Sequence, residues 1–248
     1  MNANNLKIKI ILVEPEGPIN VGSVAGLCAN FEVDQLRLVS PKCDILSLDS
    51  IKMSLKGSSY LEELNLYNSL NEAILDCDLV LATCGRIDNS KDNNQYSLGK
   101  ISNWIKSSSN IKNLAIIFGR ETRGLTNNEL LLAHRVFTIK TSKKYPSLNL
   151  SHSVSIVLYE LNKFSNQNNL SESKNSFNVA SIKSIEDCFS DIEELLMKIG
   201  YILRHTSNAK ISKFKKFILR AQTSEHELNI IRGIIHQINW AIENYKKN

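Results

Sequence analysis

No stretch of the chain approaches the roughly 20 consecutive apolar residues that a membrane-crossing helix needs. Met1 to Asn5 are polar, not basic and then apolar as in a secretory leader. Both absences lead to the expectation of a cytoplasmic protein with no membrane partner. Cysteine is sparse and poorly arranged: Cys28, Cys43, Cys77, Cys84 and Cys188 are odd in number and include no C-x-x-C pair. Neither a disulfide framework nor a zinc site is expected. The five histidines show no H-E-x-x-H spacing, so no metal is assigned. Also missing are a G-x-G-x-x-G turn after the first strand and any G-x-x-x-x-G-K-[ST] loop. That excludes the usual dinucleotide and P-loop chemistries.

What the chain does contain is a globular composition, 42% hydrophobic and 22% charged over 248 residues. This length suits one catalytic domain with a small addition. The net charge of +5 is unevenly spread. After residue 200 there are nine Lys and Arg against three Asp and Glu, a surplus of six that exceeds the whole-chain value. Either a polyanion-binding appendage or a solvated helical surface accounts for that asymmetry.

Short β-branched runs at 7–13, 35–39, 79–83, 113–118 and 136–139 read as strands, separated by helical spacing at 21–31 and by capping boxes at Ser69-x-x-Glu72 and Thr126-x-x-Glu129. Strands alternating with helices predict an α/β fold, a parallel sheet with helices on both faces. A helix over 151–164 closes this domain, residues 1–164. Residues 165–182 are a polar linker, and 183–248 form a basic extension of amphipathic helices, with Phe214 and Phe217 inside and Lys213, Lys216 and Arg220 outside.

Four polar clusters follow strands, where open α/β sheets bind ligands. In Gly17-Pro-Ile-Asn-Val-Gly-Ser23, Asn20 and Ser23 either cap the following helix or meet a ligand. In Thr83-Cys-Gly-Arg86, Gly85 lets a ligand reach the backbone and Arg86 can contact phosphate, unless the segment is a plain turn. Phe118-Gly-Arg-Glu-Thr-Arg-Gly-Leu125 packs Arg120, Glu121 and Arg123 into a glycine-bounded loop, as a functional cluster or a structural Arg–Glu pair. Tyr145-Pro-Ser-Leu-Asn-Leu150 leads into a helix.

In order and spacing these segments resemble the motifs of the TrmH-type branch of the SPOUT methyltransferases: Glu14 with Asn20-Val-Gly-Ser-Val-Ala25, Ile116-Ile-Phe-Gly-Arg-Glu121 with Gly124-Leu125, and Ser147-Leu-Asn-Leu150. The tail, Glu227-Leu-Asn-Ile-Ile-Arg-Gly-Ile234 with the basic helix before it, looks like the extension of the TrmJ group. The resemblance implies a C-terminal trefoil knot, an exception to the usual absence of knots. It also implies a homodimer, S-adenosylmethionine as cofactor, and 2′-O-methylation of tRNA in the anticodon loop at position 32. Thr83, Cys84, Gly85, Gly119, Ile139, Pro146, Ser147 and Leu148 fall on the cofactor-binding positions. Asn20, Glu121, Ser147 and Asn149 match the catalytic polar residues, and Arg86, Arg120, Arg123, Lys213, Lys216 and Arg220 are the RNA-binding candidates. The family's first motif ends in an arginine assigned to activate the 2′-hydroxyl, and here that place is Gly26. Either Arg86, Arg120 or Arg123 supplies the guanidinium, or the enzyme is slow, or the protein binds tRNA without methylating it. Glu32 similarly stands where the family places a helix-ending glycine.

Overall fold

The computed structural model describes residues 6–85, 95–108, 111–142, 144–166, 180–203, 207–221 and 223–245. Seven strands form one sheet: β1 (Lys7–Val13), β2 (Gln35–Val39), β3 (Asn65–Tyr67), β4 (Leu79–Thr83), β5 (Gln95–Ser97), β6 (Asn113–Phe118) and β7 (Arg135–Thr138). Their order is β3-β2-β1-β6-β4-β7-β5, with every pairing parallel. The helices are α1 (Pro18–Asn30), α2 (Leu48–Ser54), α3 (Ser58–Glu62), α4 (Leu70–Ile74), α5 (Leu98–Ser107), α6 (Asn127–Leu130), α7 (Leu150–Asn166), α8 (Ile182–Lys198), α9 (Ser207–Ala221) and α10 (Glu225–Tyr245). A 3₁₀ turn, Leu55–Gly57, joins α2 to α3.

The central strands are apolar on successive residues because both faces are covered. Ile10, Leu12, Leu36, Leu38, Leu81, Ile116 and Phe118 face α1, α5 and α7. Ile11, Val13, Val39, Val80, Ala82 and Ile117 face α4. Ile182, Ile185, Phe189, Ile192, Leu219, Leu228 and Ile235, from α8, α9 and α10, belong to that second cluster. Full burial of such side chains contributes about 1.5–3 kcal/mol each. The C-terminal extension therefore shares the apolar cluster on that face of the sheet. Ile182 donates its N–H to the Cys77 carbonyl (3.2 Å), and Arg135 donates to the Arg220 carbonyl (2.6 Å) across the same junction. The Arg135 guanidinium also lies over the Tyr96 and Trp104 rings.

The expected strands all occur, β7 one residue earlier than read. Thr126 and Glu129 form the full capping box, while Ser69 accepts from the Glu72 N–H and Ser224 from the Glu227 N–H. The expected linker 165–182 is shorter at both ends: α7 runs to Asn166, Ala180 is buried, and Ser181 caps α8; residues 167–179 lie outside the described residues. In α9 the expected phase is turned. Phe214 is 44% exposed although its ring packs edge-on to Phe189, while Lys215 points inward to pair with Glu186. The side chain of Phe217 lies outside the described residues.

Candidate active site

Because β1, β6, β4 and β7 are parallel neighbours, their carboxyl ends lie along one edge of the sheet, and three of the four sequence clusters meet there through side chains. Glu121, just beyond β6, reaches back over 101 residues to the start of α1. One carboxylate oxygen accepts from the Glu16 N–H (2.9 Å), the other from the Gly17 N–H (3.1 Å) and from Asn20 Nδ2 (2.9 Å). Helix α1 has no side-chain cap at Gly17 and no acid in its first turn. Glu121 supplies the negative charge that its N-terminal dipole favours. Asn20 Oδ1 then accepts from Asn149 Nδ2 (3.0 Å), and Asn149 Oδ1 accepts from the Ser151 N–H, the Ser151 hydroxyl and the His152 N–H, capping α7. Ser23, a possible cap or ligand contact from the sequence, instead bonds back to the Ile19 carbonyl. Ser147 is exposed on the loop before Asn149.

Arg120, expected at the RNA surface, is only 7% exposed. Its Nε donates to Glu14 (2.7 Å) and its two terminal nitrogens grip both oxygens of Glu129 (2.9 Å each). These carboxylates push the guanidinium pKa up, and Arg120 in turn holds Glu14 below the usual carboxylate range. Burial works to raise Glu129, but hydrogen bonds from Arg120 and Thr126 overcome it and leave it lowered. Arg120 is thus the structural ion pair that the sequence left open, a bidentate clamp closing the loop that carries Glu121. Gly119 serves the same closure, since a β-carbon there would lie 2.3 Å from the backbone of Gly124. Arg123 reaches Glu14 at 3.3 Å with a side chain 63% exposed. Arg86 lies outside the described residues.

The expected cofactor positions cluster on the neighbouring strand ends. Thr83 closes β4 with its hydroxyl on the Ile117 carbonyl (3.1 Å), and Cys84 donates its N–H to the Phe137 carbonyl (2.9 Å). Gly85 is exposed, and a β-carbon on it would touch nothing. Ile139 follows β7. The Pro146 carbonyl accepts from Thr141 (2.9 Å), folding the loop so that Pro146, Ser147 and Leu148 remain exposed. With the Thr83 hydroxyl committed internally, this edge offers approachable backbone and apolar surface. Among the described residues no group of three or more His, Cys, Asp or Glu is placed to hold a metal ion, and no helix is long and apolar enough to cross a membrane.

Gly26 lies between α1 and α2. A β-carbon at Gly22 would stand 2.1 Å from the Ser50 carbonyl oxygen, and one at Gly26 would stand 3.0 Å from that of Ser54. Gly57 returns the contact, 2.3 Å from the Ala25 oxygen. The helices therefore touch backbone to backbone along Gly22-x-x-x-Gly26, and Gly26 has a packing role. His152, in the first turn of α7 and exposed, is a further polar residue beside this site that the sequence motifs did not include. Its one signal was a histidine three places after the Asn149 cap.

The profile of the SpoU rRNA Methylase family matches residues 7–159, and that of the tRNA methyltransferase TrmJ C-terminal domain matches 183–247. The tRNA (cytidine-2′-O-)-methyltransferase TrmJ of Sulfolobus acidocaldarius is 34% identical over 231 residues, 92% of either chain. The crystal structure of TrmJ from Z. mobilis superposes with a TM-score of 0.79 at 23% identity, over 93% of this chain and 98% of that one. The SpoU methyltransferase AviRb from Streptomyces viridochromogenes, solved in complex with the cofactor AdoMet, shares the fold at 17% identity and a TM-score of 0.50, over 65% of this chain and 61% of its own. The chain belongs to the SpoU methylase family of methyltransferases, and its last three helices to the TrmJ C-terminal domain.

Proposed function

We propose that the protein transfers a methyl group from S-adenosylmethionine to a ribose 2′-hydroxyl of tRNA, in the anticodon loop at position 32. The observation that carries this is the chain Glu121–Asn20–Asn149, which ties the three family motifs together beside the open ends of β4, β6 and β7. Thr83, Cys84, Gly85, Gly119, Ile139 and Pro146 to Leu148 would hold the cofactor through backbone and apolar contacts. When bound, the cofactor supplies an electrophilic methyl on a positively charged sulfur. Glu121 fixes the Asn20 amide, and Asn20 fixes Asn149, so the polar groups beside Ser147 stand in set orientations before substrate arrives. The exposed cations Lys213, Lys216 and Arg220 of α9, with Arg123 beside the site, suit a phosphate backbone.

Two subunits pair in this reading. Ile19, Ile156 and Tyr159 are 52%, 36% and 60% exposed on α1 and α7, apolar area that a partner would cover. The passage from β7 through the 139–149 loop to α7, which packs on α1, is where the family's knot would form. A second reading, tRNA binding without turnover, is favoured by Gly26 alone. Purified protein incubated with methyl-labelled S-adenosylmethionine and unmodified tRNA tests the proposal. Label is expected on one anticodon-loop ribose, whereas salt-sensitive tRNA binding with no transfer would support the second reading.

A further inference from the structure

A 2′-hydroxyl attacking a methyl group must lose its proton, and the charged groups Glu121, Glu14 and Arg120 are already committed. The Glu121 carboxylate is spent on three donors at the start of α1. Arg120 is buried between Glu14 and Glu129, and Glu14 also meets Arg123. Gly26 offers nothing. His152 is different. Its backbone N–H is held by Asn149 Oδ1 (3.4 Å), the residue whose Nδ2 reaches Asn20, and its side chain is exposed on the first turn of α7. Leu150, Val154, Val157 and Leu158 form the buried side of that helix, so the imidazole lies on the side away from the core, at the end nearest Asn149 and one turn before Ile156, where the surface that a partner would cover begins.

On these grounds, and resting on the methyltransferase reading above, we propose that His152 is the proton acceptor for the ribose 2′-hydroxyl. The new bond joins the 2′-oxygen to the methyl carbon as the sulfur–methyl bond breaks. That bond's electron pair stays on sulfur, and the hydroxyl proton passes to an imidazole nitrogen and then to solvent. Imidazole is the side chain whose ordinary titration range suits this exchange near neutrality. Its charged surroundings are modest. Among α1 residues the one ionisable group is the buried Cys28 thiol, α5 carries Lys100, α7 itself Tyr159, Glu160 and Lys163, the preceding loop Lys140, Lys144 and Tyr145, and Glu121 stands beyond Asn20.

The test measures methyl transfer to tRNA from pH 6 to 9 by the full chain, by His152→Gln and by His152→Ala, with S-adenosylhomocysteine affinity as the folding and binding control. The expected result is a loss of about 100-fold or more at pH 7.5 in both variants, with unchanged affinity. The variants should show a rate that climbs with hydroxide where the parent levels off, and His152→Ala should recover in part with added imidazole. Transfer by the parent together with a His152→Gln rate within threefold and the same pH profile would overturn His152 alone. No transfer by the parent to any tRNA would overturn the methyltransferase reading and this role with it.

Discussion

Two alanine substitutions in one helix should differ sharply because of how α1 meets α2. In Gly22→Ala the new methyl would stand 2.1 Å from the Ser50 carbonyl oxygen, against the 3.4 Å or more of ordinary contact. Helix α2 would have to retreat by about 1.3 Å, the difference between those two distances, and neither partner is a flexible side-chain end. Overpacking of this kind costs about 1–3 kcal/mol and more where the backbone must move. Replacing a mid-helix glycine by alanine returns about 1 kcal/mol. A net loss of about 3 kcal/mol is expected for Gly22→Ala. In Gly26→Ala the contact is 3.0 Å, a few tenths of an ångström too close, and the helical gain offsets it to within about 1 kcal/mol of the parent. Urea unfolding of both variants, with unchanged dependence on denaturant, reads the difference directly. Equal stabilities would refute the backbone-to-backbone packing of α1 on α2 and the packing role given to Gly26.

Acid should destabilise the protein in two windows. His134 is buried, its Nδ1 accepting the Val80 N–H, and burial pushes its pKa down to about 3. A lowered folded pKa means stability present above the ordinary value of 6.5 and lost as pH falls towards 3, by up to about 1.4 kcal/mol per pH unit. His134→Gln should flatten the melting temperature between pH 6 and 4. Glu14, Glu129 and Asp76 are also lowered, so their contribution is lost only below the usual carboxylate range. Asp76→Asn would leave the buried cations Lys9 and Arg37 without their shared carboxylate, a loss of about 3 kcal/mol after allowing for the wet outer side of Asp76, measured by denaturant unfolding. Glu32 ends α1 with φ of 51° while Val33 donates to the Cys28 carbonyl. Glu32→Gly should therefore stabilise by about 0.5 kcal/mol, the relief of left-handed strain less the extra chain entropy. A chain ending at Asn166 should bind a hydrophobic dye or aggregate, because the apolar cluster on that face loses the buried side chains of α8 to α10.

The sheet was readable where strands are buried on both faces, since an apolar run of four or five residues, as at Ile10–Val13, Leu79–Ala82 and Leu114–Phe118, has few other uses. The strands missed, β3 and β5, are the two edges of the sheet and only three residues long, too short for any period to show. Helix α2 was missed for a different reason. Its buried residues are Ser50 and Ser54, pressed against the glycines of α1, while Leu48, Ile51 and Met53 face outward at 73%, 46% and 44% exposure. An amphipathic reading looks for the reverse. In the extension each helix was legible from its spacing, but the surface it packs on was not, because a stripe of Ile and Leu does not say whether it meets a sister helix or a sheet. At the site the residue types were legible. The sequence left undecided whether Arg120 works on solvent or on Glu129, a question that a partner nine residues away in a folded-back loop decides.

Gly26 shows how those limits combine. From the sequence it is a missing arginine, and the natural experiment is to restore it. In the structure a β-carbon on it would stand 3.0 Å from the Ser54 carbonyl oxygen in a close-packed helix pair, so Gly26→Arg would perturb packing and chemistry together. A gain in rate from that variant would be interpretable only if Gly26→Ala leaves stability and cofactor affinity intact, and a loss would say nothing about the proton. His152 separates the two questions, because it lies on the side of α7 away from the core with its backbone N–H held by Asn149. Removing its imidazole changes the acceptor without moving α2. Should His152→Gln keep the full rate while Gly26→Arg, with the alanine control intact, raises it, the proton has another destination, and Arg123, exposed beside Glu14, is the next residue to change.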